Sequence, residues 1–211
     1  MNIKRDTYEF DTIKEKFERI EWDDIWCQDA NITDKKRVLV IGDSISRGYR
    51  NFLINKIGEE YAVDSVATSK AVDNEQFITL LEYMKAKSPE YEIIQFNNGL
   101  HGWHLSYEEY ENCYLEILGH IKRLFPIAKL FLALTTPVRE MKNVDCFDAR
   151  NTDVIKRNHV AKAIAKEMNA EMIDLYHIME KHPDYYCDDG VHFLEEGYVL
   201  LADECVKMWR A

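Results

Sequence analysis

Ser44, Asp189 and His192 are the residues of this chain whose types and spacing can do chemistry together. A serine hydroxyl is a weak nucleophile until a base takes its proton, and histidine titrates near neutrality. Asp189-Gly-Val-His192 sets a carboxylate three residues from an imidazole, so Asp189 can fix the tautomer of His192 and stabilise its protonated form. Ser44 closes the run Arg37-Val-Leu-Val-Ile-Gly-Asp-Ser44, which reads as a buried strand that stops at a glycine and presents a hydroxyl. Ser46 is a competing hydroxyl, but its place in Ile-Ser-Arg-Gly suggests the start of the next helix. Together the three make a nucleophilic acyl-transfer set in the chain order Ser, Asp, His.

Residues this far apart need a scaffold that returns them to one rim. Apolar runs at 37–42, 61–67, 91–97, 128–134 and 171–174 predict strands. Helical spacing predicts helices at 46–57, 74–87, 106–124, 153–168 and 195–209. Gly58 stops the first of these, Pro89 and Pro126 precede strands, and Ser106-Tyr-Glu-Glu109 forms a capping box. The alternation predicts an α/β fold of three layers, α/β/α, around a doubly wound parallel sheet of five strands in the order 2-1-3-4-5. In that order the ends of strands one and three flank the topological switch point, where Ser44 and Asn97-Asn98-Gly99 meet. The segment from Thr135 to Asn151 has no clear pattern and reads as a lid or specificity loop. Phe10, Ile13, Phe17 and Ile20 share one face of a helix over 8–20, so residues 1–36 read as a helical extension packed on a core domain of 37–211.

Gly42-Asp43-Ser44 and Asp189-Gly-Val-His192 resemble the first and last signature blocks of the SGNH (GDSL) hydrolase family, in its small flavodoxin-like esterase type. The resemblance implies a serine esterase acting without a cofactor on short-chain, above all acetyl, esters, with O-acetylated carbohydrate as the leading substrate class. It also implies an oxyanion hole made by the backbone N–H of Ser44 and an asparagine side chain. The family's third block, Gly-x-Asn-Asp, is replaced here by Phe96-Asn-Asn-Gly-Leu-His-Gly-Trp-His104, which assigns that role to Asn98, with Asn97 as the alternative. Its second-block glycine is missing from Ala67-Thr-Ser-Lys-Ala-Val-Asp-Asn74, which leaves a backbone N–H between Ser69 and Ala71 to serve. His101 and Trp103 stand beside the expected crevice as substrate contacts; Trp103 and Tyr107 either stack on a sugar or pack on the core. Two rivals remain: a lysophospholipase or thioesterase acting on longer acyl chains, and a catalytically silent binding module of the same fold.

Composition narrows the partners. A net charge of -11 without a basic cluster disfavours nucleic acid and anionic membranes, although Arg47, Arg139 or Arg150 can hold an anionic group locally. There is no His-Glu-x-x-His and no cysteine pair, so no metal site is expected. Five scattered cysteines and a charged N-terminal sequence without an apolar stretch fit a protein of the reducing cytoplasm, though a trimmed signal would look the same. No 18-residue apolar run predicts membrane insertion, and oligomeric state stays open.

Overall fold

The computed structural model describes residues 15–88 and 90–211. In chain order these form β1 (Asp23–Trp26), β2 (Lys36–Gly42), α1 (Ser44–Ile57), β3 (Tyr61–Thr68), α2 (Gln76–Lys87), β4 (Ile93–Phe96) and α3 (Tyr107–Leu124). There follow β5 (Lys129–Ala133), β6 (Arg139–Glu140), β7 (Asn143–Phe147), α4 (Asn151–Met168), β8 (Glu171–Ile173), α5 (Leu175–Glu180) and α6 (Glu195–Trp209). A single 3-10 turn, Pro183–Tyr185, separates the last two helices.

The main sheet runs β1-β3-β2-β4-β5-β8. Its last five members are parallel and follow the 2-1-3-4-5 order in the chain. Val38, Leu39, Val40 and Ile41 of the central strand are sealed from solvent, as a strand covered on both faces must be. Helices α1 and α6 pack together on one side, and α2, α3 and α4 lie side by side on the other. Phe77, Phe96 and Tyr114 meet edge to face under the second layer, with centroids 6.1 and 5.0 Å apart. The Ser106 box caps α3 as its spacing predicts.

Four elements, β1, β6, β7 and α5, are absent from the sequence reading. The sheet has six strands, because β1 joins the β3 edge antiparallel. Within 1–36 the described residues carry this strand and no helix: 15–20 run in bends, and the first part of the helix expected over 8–20 lies outside the described residues, as does Pro89. The 135–151 segment starts buried and then turns through the β6–β7 hairpin. The short helix α5 had no counterpart in the reading.

On β3, Asp64 is fully buried yet satisfied. It accepts from Arg37 at 2.7 and 3.0 Å, from the Tyr91 hydroxyl at 2.8 Å and from the Gln28 amide at 3.0 Å. The network ties β2, β3 and the segment after β1 together at the rim away from Ser44.

Candidate active site

The strand β2 ends at Gly42, and Asp43 caps α1 by accepting from the Ile45 amide at 2.9 Å. That geometry makes Ser44 the first helical residue, with its backbone N–H at the positive end of α1 and without an acceptor among the described residues. Ser44 is 5% exposed.

His192 Nε2 lies 2.8 Å from Ser44 Oγ, and His192 Nδ1 lies 2.8 Å from Asp189 Oδ2. The other carboxylate oxygen, Oδ1, accepts from the amides of Val191 and His192, both at 2.8 Å. Burial pushes the Asp189 carboxyl up, but the His192 hydrogen bond and charge and these two amides outweigh it, so it sits below the usual carboxylate range. Asp189 is therefore charged at neutrality, oriented at both oxygens and aimed at the imidazole.

The loop carrying the pair is fixed from behind. Cys187 N–H donates to His192 O at 2.8 Å, while the amides of Arg139 and Lys142 in the hairpin donate to Gly190 O and Asp188 O at 2.8 and 2.7 Å. Gly190 has φ +77, and a Cβ there would stand 2.1 Å from Arg139 O, so glycine is required at this turn. Arg139 is itself a structural residue: its guanidinium donates to Val144 O and Glu180 O and lies over Phe147 and Tyr186. Arg150 pairs with Asp148 at 2.7 Å, and Arg47 lies over Trp22, 4.7 Å from the ring centroid. The anion-binding reading of Arg139 is corrected by its burial.

The loop after β4 separates the two asparagines. Asn97 turns toward β5 and spends both amide hydrogens, on Ala133 O at 2.7 Å and Thr135 Oγ1 at 2.9 Å. Asn98 is fully buried and turns toward the loop after β3, donating to Lys70 O at 2.8 Å. One hydrogen of its Nδ2 remains. In that facing loop, Ser69 N–H is taken by Trp22 O at 3.1 Å and Lys70 N–H by Thr68 Oγ1 at 3.1 Å. The Ala71 amide has no acceptor among the described residues.

Residues that the sequence reading passed over complete this rim. Glu18 Oε1 lies 2.6 Å from His101 Nδ1, Glu21 accepts from Asn74 at 3.0 Å, Trp22 N–H donates to Ser69 Oγ at 2.9 Å, and Asp23 holds Lys70. His101 is 3% exposed, so it is a buried partner of this strap. Trp103 is half-buried and stacks on Arg157, 4.6 Å from its ring centroid. Tyr107 bonds Asp153 at the surface. Arg157, from α4, donates to three carbonyls of the loop after β4, and burial lowers its pKa from the usual arginine range.

Residues 40–200 match the model of the GDSL-like lipase/acylhydrolase family, a span that contains Ser44, Asn98, Asp189 and His192. A GDSL esterase/lipase from Oryza sativa subsp. japonica is 23% identical over 126 residues, which cover 55% of this chain and 48% of the relative. The chain thus spans about half the length of that curated relative. In fold, an acetylxylan esterase from Geobacillus stearothermophilus is similar with a TM-score of 0.67 at 17% identity, covering 84% of this chain and 96% of that one. A carbohydrate acetylesterase from Sinorhizobium meliloti is similar with a TM-score of 0.63 at 16% identity, covering 82% and 99%. Among the described residues no helix is long and apolar enough to cross a membrane.

Proposed function

The chain belongs to the GDSL-like lipase/acylhydrolase family, and we propose that it works as a serine esterase removing short acyl groups, acetyl first, from a carbohydrate or similarly polar alcohol. The observation that carries this reading is the relay Ser44 Oγ to His192 Nε2 and His192 Nδ1 to Asp189, each 2.8 Å. His192 takes the Ser44 proton as Oγ attacks the ester carbonyl, then returns it to the leaving alcohol. Asp189 stabilises the imidazolium between those steps. Water, deprotonated by His192, releases the acyl group and restores Ser44.

The tetrahedral oxyanion needs donors on the side of Ser44 away from His192. Three groups supply them: the Ser44 amide at the head of α1, the free hydrogen of Asn98 Nδ2, and the Ala71 amide. The last stands in for the second-block glycine, since Ser69 and Lys70 have spent their own amides. Support for a polar substrate comes from similar folds described as acetylxylan and carbohydrate acetylesterases.

The test is hydrolysis of p-nitrophenyl acetate, butyrate and octanoate by wild type and Ser44→Ala, with fluorophosphonate labelling. Acetate should be fastest, the label should sit on Ser44, and the mutant should lose at least about 10³-fold in kcat. Folded protein with neither turnover nor label would instead be a ligand-binding module, and fastest octanoate would point to a long-chain acylhydrolase.

A further inference from the structure

Helix α4 buries Val154, Arg157, Asn158 and Ala161, the i, i+3, i+4, i+7 face of an amphipathic helix. A guanidinium on that face is costly, because it cannot shed its charge and leaves water behind. Arg157 is 3% exposed, and no carboxylate lies within ion-pair distance of it among the described residues.

What replaces the counterion is one loop. Arg157 Nη1 donates to Gly99 O at 3.1 Å and His101 O at 2.6 Å, and Nη2 donates to Gly102 O at 2.6 Å. Arg157 Cζ also lies over the rings of Trp103 and Tyr110, 4.6 and 4.7 Å from their centroids. Tyr110 then donates its hydroxyl to Asn98 O at 2.6 Å. Four of the five carbonyls from Asn98 to Gly102 are thus drawn toward α3 and α4. In trans peptides the following N–H points the opposite way, so the amides of Gly99, Leu100, Gly102 and Trp103 turn away from the clamp.

Outside the clamp, His101 on Glu18 at 2.6 Å and His104 on Asp73 at 2.9 Å tie the loop to its neighbours. Its own backbone contributes one bond, Leu105 N–H to Gly102 O at 3.1 Å. Asn98 is gripped at both ends, by Tyr110 at its carbonyl and by Lys70 O at its side chain. A five-donor fork suits several carbonyls at fixed angles, which a lysine ammonium cannot reproduce.

We propose that Arg157, acting with Tyr110, is the positioning residue that sets the Asn98 side chain as an oxyanion donor. The proposal rests on the assignment of Ser44 and Asn98 made above. Arg157 touches no reacting atom; its effect passes through the loop carbonyls to Asn98.

A double-mutant cycle on p-nitrophenyl acetate tests it, with folding checked by circular dichroism. Arg157→Lys should lower kcat by about 10²-fold, comparable to loss of one oxyanion donor, with KM within about 3-fold and the pH profile of kcat/KM unmoved. Tyr110→Phe should lower kcat by about 10-fold. In an Asn98→Ala background neither substitution should lower kcat further, because the donor they position is gone. Losses that multiply in that background, or Arg157→Lys turning over at the wild-type rate, would overturn the proposal while leaving the Asn98 assignment intact. Should Arg157→Lys fail to fold, the Tyr110→Phe cycle decides alone. If Asn98→Ala keeps the wild-type rate, the Asn98 assignment itself fails, and the positioning role with it.

Discussion

Lys70 Nζ grips both carboxylate oxygens of Asp23, at 3.0 and 2.8 Å, across 47 positions of sequence. The pair joins the edge strand β1 to the loop after β3, where the family's glycine is missing. Asp23 also accepts from Thr68 Oγ1 at 2.6 Å, and Thr68 Oγ1 accepts in turn from the Lys70 amide. A loop without the glycine is therefore held in place from outside, by the strap that precedes it in the chain.

Removing Asp23 should loosen that loop and strand a Lys70 ammonium whose side chain is only 5% exposed. Asp23→Ala is expected to cost about 1–3 kcal/mol and to lower kcat on p-nitrophenyl acetate by about 10-fold through misplacement of the Ala71 amide. Urea unfolding and steady-state kinetics on the same preparation check both. Unchanged kcat in the destabilised variant would mean that the loop keeps its place without β1.

The Glu18 and His101 pair predicts a pH dependence with a definite sign. Burial works against a charge on His101, but the hydrogen bond and charge of Glu18, helped by Asp43 and opposed by Arg157, raise its pKa above the ordinary histidine value. A group raised on folding contributes its stability in full below the unfolded pKa, about 6.5, and loses it as pH climbs through the folded value. Glu18→Gln should thus lower Tm by about 2–4 °C at about pH 5.5, with the gap closing toward about pH 9. Thermal melts across that range decide; a gap of constant size would show that His101 is not charged by its partner.

How far the sequence announces all this depends on the reach of each interaction. The parallel strands are visible because Val38 to Ile41 and Leu130 to Ala133 are unbroken apolar runs, and α3 is visible because Ser106 and Glu109 cap it locally. Asp189 and His192 are legible for the same reason: they lie three residues apart and bond each other. Strand β1 is hidden, since Asp-Asp-Ile-Trp has two acids whose partners, Lys70 and Arg50, lie elsewhere in the chain. Glu18 meets His101 across 83 positions, with no local signal at either end. Arg157 is an intermediate case. Its spacing with Val154 and Ala161 marks it as inward-facing, but only the folded loop shows that it faces carbonyls.

Asp64 separates stability from catalysis. It is fully buried and paired with Arg37, and breaking such a pair from one side typically costs about 3–5 kcal/mol. Asp64→Ala should lower Tm by roughly 6–20 °C while leaving kcat per folded molecule within about 2-fold of wild type, because its partners lie at the rim away from Ser44. Calorimetry paired with assays well below the lowered Tm checks the split. A large fall in kcat at that temperature would connect the lower rim to the site.

Gly190 makes the converse case, a substitution that should strike the relay directly. It stands between Asp189 and His192 at φ +77, where an L side chain costs about 1–2 kcal/mol, and a Cβ would come within 2.1 Å of Arg139 O. The backbone of the hairpin cannot yield without breaking the Arg139 N–H to Gly190 O bond at 2.8 Å. The strain then falls on the turn that sets Asp189 against His192. Misplacement by about 1 Å is enough to cost about 10²-fold, so Gly190→Ala should lower kcat by about that factor and slow fluorophosphonate labelling of Ser44 in parallel. The parallel matters, because labelling also needs His192 to take the Ser44 proton. Lost turnover with labelling at the wild-type rate would place the damage after acylation, outside the Asp189 to His192 geometry.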